Sequence, residues 1–95
     1  MTTQLKNTKI TINTKVVYAK KLKDSEFTKM IKTAIAETIN MNIDESYFKI
    51  IKTVGNENYI NFVYGSGIIN ILVEMSEKND VFIYKISCEI TKNQK

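Results

Sequence analysis

The sequence predicts an α+β fold in which a single helix packs on a twisted antiparallel sheet, in the order β-α-β-β-β-β. Apolar residues recur at helical spacing only over residues 24–42, whereas the segments on either side alternate between apolar and polar residues. Short turn signals separate the later segments, and this favours antiparallel strands that follow one another as a meander. Ninety-five residues suffice for one domain with its own core, so we expect a single domain over residues 1–95.

The first predicted strand covers residues 5–19 and is rich in β-branched side chains. The helix follows over residues 24–42, with Asp24 as its expected N-cap and Glu26 near the positive end of its dipole. One side of this helix is apolar or small. That side comprises Phe27, Met30, Ile31, Ala34, Ile35, Thr38 and Ile39. A helix with one apolar side must bury that side against the sheet.

Four further strands are predicted over residues 46–54, 59–64, 68–75 and 81–91. Turns built from Gly, Asn, Ser and acidic residues separate them. In the last three strands, alternate residues point to the expected core. They are Ile60, Phe62, Tyr64, Ile69, Ile71, Val73, Met75, Phe82, Tyr84, Ile86, Cys88 and Ile90. The strand over residues 46–54 is ambiguous, because both of its faces carry an aromatic residue, an Ile and a Lys.

The element order is similar to that of the cystatin-like fold, and this resemblance concerns topology alone. Cystatins inhibit proteases through a Gln-x-Val-x-Gly hairpin and a Pro-Trp hairpin. The nearest match in this chain is Lys52-Thr53-Val54-Gly55, which lacks the Gln and the spacing, and the chain contains neither Pro nor Trp. The resemblance therefore implies a fold and assigns no inhibitory residue.

The composition indicates an origin and a compartment. Lys, Asn, Ile, Tyr and Phe make up half of the chain, and all five have AT-rich codons. This is typical of a low-GC bacterium, its phage or a mobile element. The single cysteine, Cys88, excludes an internal disulfide and favours the cytoplasm. No apolar run approaches the length of about 20 residues that spans a bilayer, so we expect no membrane partner.

The residue types available for chemistry are few. The chain has no histidine, so a Cys-His or Ser-His nucleophile pair is excluded and zinc lacks its usual ligands. Asp44 with Glu45, and the group Glu74, Glu77 and Asp80, are typical of solvated turns rather than of metal sites. We therefore predict a protein that is not an enzyme and has no cofactor and no metal. An enzyme that uses carboxylates or tyrosine alone is a third hypothesis.

A basic segment raises the alternative of nucleic-acid binding. The chain carries a net charge of +4, and its excess of lysine lies in residues 1–52. The candidate phosphate contacts are Lys20, Lys21, Lys23, Lys29 and Lys32. Arginine, which most often reads guanine, does not occur, so any such binding would be largely non-specific.

The main prediction concerns the sheet face that the helix leaves open. Six residues on this face are apolar or aromatic where a solvated face should alternate to polar residues. They are Tyr59, Val63, Ile68, Leu72, Val81 and Ile83. We expect them to form one patch that binds a protein partner or a second copy of the chain. The predicted function is thus a small binding module, similar in action to an inhibitor or an adaptor.

Overall fold

The computed structural model describes residues 6–39 and 42–94, and these form one α-helix and five strands. In chain order they are β1 (Lys6–Tyr18), α1 (Asp24–Ile39), a 3-10 helix (Glu45–Tyr47), β2 (Lys52–Val54), β3 (Glu57–Tyr64), β4 (Gly67–Lys78) and β5 (Val81–Gln94). The predicted fold class is confirmed, because one helix packs against a five-stranded antiparallel sheet.

The order of the strands across the sheet is β1-β5-β4-β3-β2. Strands β2 to β5 form the expected meander, and β1 lies beside β5, with Tyr18 opposite Phe82 and Lys6 opposite Gln94. The turn between β4 and β5 consists of Asn79 and Asp80, which both have positive φ angles. Such two-residue turns match the twist of the strands that they join.

The predicted strand over residues 46–54 is wrong in its first half, which forms the 3-10 helix instead. The side chain of Asp44 caps this helix by accepting the Ser46 N–H at 2.8 Å. Phe48 then enters the core, where its ring packs edge-on against Phe62 with 5.3 Å between centroids. Only Lys52–Val54 remain for the strand, so β2 is short and covers little of β3.

The N-terminus of α1 is capped one residue earlier than the sequence suggested. The C=O of Lys23 accepts the Phe27 N–H at 2.8 Å, and the Lys23 N–H donates to Glu26 Oε1 at 3.0 Å. This is half of a capping box, in which the third helical residue closes back on the cap. The same backbone hydrogen bond is the main reason why the pKa of Glu26 lies below its ordinary value.

The core lies between α1 and one face of the sheet. Its buried side chains are Ile12, Phe27, Met30, Ile31, Ile35, Ile43, Phe48, Ile60, Ile69, Ile71, Val73, Tyr84, Ile86, Cys88 and Ile90. The predicted apolar side of the helix is therefore confirmed as far as Ile35, and Ala34 is half-buried beside it. The side chains of Thr38 and Ile39, like residues 40 and 41, lie outside the described residues.

The helix covers only part of the sheet. Sixteen residues give α1 a length of about 24 Å, whereas the fourteen residues of β5 extend over roughly 46 Å.

Tyr84 joins the segment before the helix to the sheet, because its hydroxyl accepts the Leu22 N–H at 3.0 Å. Among the described residues no helix is long and apolar enough to cross a membrane.

Candidate functional site

The open face of the sheet is the face opposite α1, and the register shows which side chains it carries. Odd-numbered residues of β1, β3 and β5 share this face with even-numbered residues of β4. All six residues predicted for partner binding lie on it. Val63 and Ile68 are the most exposed of them, at 65% and 44%, and the other four are half-buried.

The six residues do not form the single patch that was expected. Val63 lies opposite Ile68 near the β3–β4 turn, and Tyr59 lies opposite Leu72 in the middle of the sheet. The third group, Val81 and Ile83, lies near the β4–β5 turn. Four residues along a strand correspond to about 13 Å, so each group is too far from the next for direct contact.

Two rows of polar side chains separate these groups. The first row runs across four strands and contains Thr11, Glu89, Asn70 and Asn61. Within this row the Asn61 side-chain amide donates a hydrogen bond to the side-chain oxygen of Asn70. Glu89 of the same row forms an ion pair of 3.0 Å with Lys9, which belongs to the neighbouring row. The second row is charged and contains Lys15, Lys85, Glu74 and Glu57. The open face thus alternates between apolar and polar bands, but each apolar band is narrow. The row of Tyr59 and Leu72 continues with Ser87 and Asn13, and the row of Val63 and Ile68 continues with Thr91 and Lys9.

The central band is the most elaborate. Tyr59 donates a hydrogen bond to Glu57 Oε1 at 3.0 Å, and this bond is the main reason that the pKa of Tyr59 is raised. Lys52 Nζ lies 5.9 Å from the centroid of the Tyr59 ring, a cation–π distance. Beside Tyr59 and Leu72 the face forms a concavity of about 610 Å³, whose rim includes Ile51. The concavity is lined by apolar, amide and hydroxyl side chains and by the charged residues Lys52 and Glu89.

Sequence reasoning missed three exposed apolar residues at this surface. Ile51 lines the concavity and is 64% exposed, Val17 is 51% exposed opposite Ile83, and Val54 is 50% exposed opposite Glu57. The alternation of β1 already put Val17 on the outer face, but nothing local to β1 shows that β5 lies beside it. Ile51 was hidden by the wrong strand boundary, since it precedes β2 and its N–H donates to the Tyr59 C=O at 2.8 Å.

The candidate nucleic-acid contacts lie away from the open face. Lys20, Lys21 and Lys23 belong to the exposed link between β1 and α1, and Lys29 lies exposed on the helix. Lys20 Nζ lies 3.4 Å from Glu26 Oε2. Neighbouring carboxylates therefore offset part of the positive potential of this segment.

Lys32 lies near a second carboxylate. The backbone hydrogen bond from Ser46 is the main reason that the pKa of Asp44 is lowered, and the nearby charge of Lys32 adds to it. Asp44 thus serves as the cap of the 3-10 helix described above. The five lysines are distributed over the link and one side of the helix.

The remaining candidates for chemistry are separated by the fold. Glu74 lies on the open face, opposite Lys85 in the strand register, whereas Glu77 points to the other face by alternation. Cys88 is fully buried in the core, and this burial raises the pKa of its thiol to about 11. Within residues 6–39 and 42–94, no three side chains of His, Cys, Asp or Glu lie close enough to hold a metal ion.

Comparison of the chain with protein-family models, with curated proteins and with solved structures finds no match. The similarity to the cystatin-like fold thus remains one of element order.

Proposed function

We propose that this protein is a small, non-enzymatic binding module that uses the open face of its sheet to bind another protein. The observation that carries the proposal is the apolar content of a face that α1 does not cover. Val63 and Ile68 are largely exposed there, and Tyr59 and Leu72 border a concavity of about 610 Å³. Exposed apolar groups that lie together on a folded domain usually mark an interaction site.

The banded arrangement favours a protein partner of matching pattern. Each apolar band is flanked by polar side chains that could hydrogen-bond to a partner, as at the rim of a protein interface. Tyr59 suits the centre of such a surface, since a tyrosine adds a large apolar area at little cost in conformational entropy. The role proposed is that of an inhibitor or adaptor, acting by occupying the surface of its partner.

The proposal assigns this role to the cytoplasm of a low-GC bacterium, or to its phage or a mobile element. The assignment is supported by an amino-acid composition rich in residues with AT-rich codons and by the lone thiol of Cys88. The alternative of a lysine-dependent nucleic-acid binder has weaker support. Of its five lysines, Lys20 lies beside Glu26 and Lys32 lies near Asp44.

A pair of substitutions tests the proposal. Leu72→Lys together with Ile83→Glu places charges in two apolar bands and leaves the net charge of the chain unchanged. Its matched control is Ser25→Lys together with Ser46→Glu, since both residues are exposed, on α1 and on the 3-10 helix, away from the open face. Tagged forms of the three proteins are compared by quantitative mass spectrometry after crosslinking in the source organism. We expect the open-face pair to lose specific partners that the control retains, and an identical partner set would contradict the proposal.

A further inference from the structure

The outer edge of β1 is the longest unpaired strand edge in the described part of the chain. β1 contains thirteen residues and pairs with β5 on one side, while the other side has no neighbour among the described strands. At the opposite margin of the sheet, β2 is only three residues long. A long free edge offers a row of backbone donors and acceptors to any strand that can align with it.

The ladder shows which backbone groups of β1 point outwards. The two-residue turn at Asn79 and Asp80 makes Lys78 and Val81 the first hydrogen-bonded pair of the hairpin. Because an antiparallel ladder alternates, even-numbered residues of β5 bond to β1, and even-numbered residues of β1 bond back. The outward groups therefore belong to the odd-numbered residues Lys9, Thr11, Asn13, Lys15 and Val17.

A groove runs along this edge on the helix side of the sheet. It has a volume of about 590 Å³ and separates β1 from α1. Its walls are the alternate residues Thr14, Val16 and Tyr18 of β1 and, across from them, Met30 and Ala34 of α1. These side chains are only half-buried, apart from Met30, since α1 leaves this margin of the sheet partly uncovered. An added strand would hydrogen-bond to the edge and place alternate side chains in the groove.

We propose that the strand added here is β1 of a second copy, so that two sheets join across a two-fold axis into one continuous sheet. Antiparallel pairing centred on Asn13 sets Ile10 of each copy opposite Val16 of the other. Ile10 is 41% exposed and lies on the helix side of β1, so this pairing delivers an exposed apolar side chain to the partner's groove.

The charges of β1 are compatible with this register and disfavour the neighbouring one. Pairing centred on Asn13 sets Lys9 opposite Val17 and Lys15 opposite Thr11, so no lysine of β1 faces another lysine of β1. Pairing centred on Ile12 would set Lys9 opposite Lys15, and like charges directly opposite one another destabilise a sheet. A two-fold dimer is the commonest closed assembly of identical chains, and here it pairs the long free edge of both copies at once.

Substitution of two isoleucines of similar exposure distinguishes this edge dimer from a dimer that forms through the open face. Ile10 is 41% exposed on β1, and Ile68 is 44% exposed on β4, an interior strand. We expect analytical ultracentrifugation of the full chain to show a dimer whose dissociation constant rises at least about tenfold in Ile10→Glu. The same constant should stay unchanged in Ile68→Glu, because Ile68 does not reach the β1 edge. Circular dichroism and thermal melts establish that both variants remain folded.

Amide hydrogen exchange supplies a readout of the backbone itself. In the dimer the amides of Thr11, Asn13 and Lys15 should become protected as the protein concentration rises, while those of their even-numbered neighbours are protected at all concentrations. Three outcomes would overturn the proposal. They are a wild-type chain that stays monomeric at millimolar concentration, a dimer that Ile68→Glu dissociates, and a dimer that Ile10→Glu leaves intact.

Discussion

The two faces of the sheet differ in how their apolar residues are grouped. On the face under α1, apolar residues lie opposite one another across neighbouring strands, as in the row of Ile12, Cys88, Ile71 and Ile60. On the open face, apolar pairs alternate with polar rows along the strands. The covered face thus holds the buried core of the fold, whereas the open face leaves its apolar side chains half-buried or exposed. Substitutions on the two faces should therefore affect different measurements.

The largest effect is expected at the centre of the covered face. Ile35 of α1 is fully buried, so Ile35→Ala should lower the free energy of unfolding by about 2–5 kcal/mol, through lost burial and the cavity that remains. Lys29→Ala on the exposed side of the same helix should change it by less than about 0.5 kcal/mol. Denaturant melts measure both values. Equal effects would mean that α1 packs on the sheet through another side.

The two substitutions on the open face should affect partner binding more than stability. Leu72 and Ile83 are half-buried and contribute little to the core, so Leu72→Lys with Ile83→Glu should cost only about 1 kcal/mol of stability. Its loss of partner binding should exceed that of any single variant in the helix. If denaturant melts show a loss of unfolding free energy as large as that of Ile35→Ala, these two residues belong to the core. The difference between the two faces would then be contradicted.

Cys88, on the covered face, should make the stability of the fold decrease at alkaline pH. Burial raises the pKa of its thiol from the ordinary value of 9.0 to about 11. Between these values the folded chain keeps a proton that the unfolded chain has lost, so stability is complete below pH 9.0 and falls as the pH approaches 11. We expect this loss in the wild-type chain relative to Cys88→Ala. Ser87→Ala, one residue away on the open face, should keep the wild-type pH dependence.

The smallest effect on stability is expected at the lysines between β1 and α1. Replacement of Lys20, Lys21 and Lys23 by Gln removes exposed charges and should leave thermal melts almost unchanged. If these lysines contact phosphates, the triple variant should reduce the salt dependence of DNA binding by up to about 3 in the logarithmic slope. A wild-type chain without affinity for DNA at low salt would exclude the nucleic-acid alternative.

The sequence was sufficient for the fold where local pattern decides the structure. Alternation located β1, β3, β4 and β5, and helical spacing located α1. It failed over residues 46–54, where Tyr47 and Phe48 gave both faces an aromatic residue. There the cap at Asp44 and the burial of Phe48 decide the outcome, and neither follows from alternation.

The candidate site was only partly predictable for a different reason. Parity along each strand places residues on a face, and this was enough to bring Tyr59 and Leu72 together. The distance between groups depends on register and on which strands are neighbours, and these are set by contacts far apart in sequence. The position of β1 beside β5 is the clearest case, because it determines both the neighbour of Val17 and the free edge of the sheet.

The pairing of β1 with β5 also has a consequence for how the chain folds. Each residue of β1 finds its strand partner more than sixty positions later, from Tyr18 with Phe82 to Lys6 with Gln94. Non-local pairing of this kind slows folding, because a large loop must close before the contacts are gained. During synthesis β1 cannot pair with β5 until β5 has left the ribosome, so the sheet of a single chain is completed only after residues 81–94 have been translated.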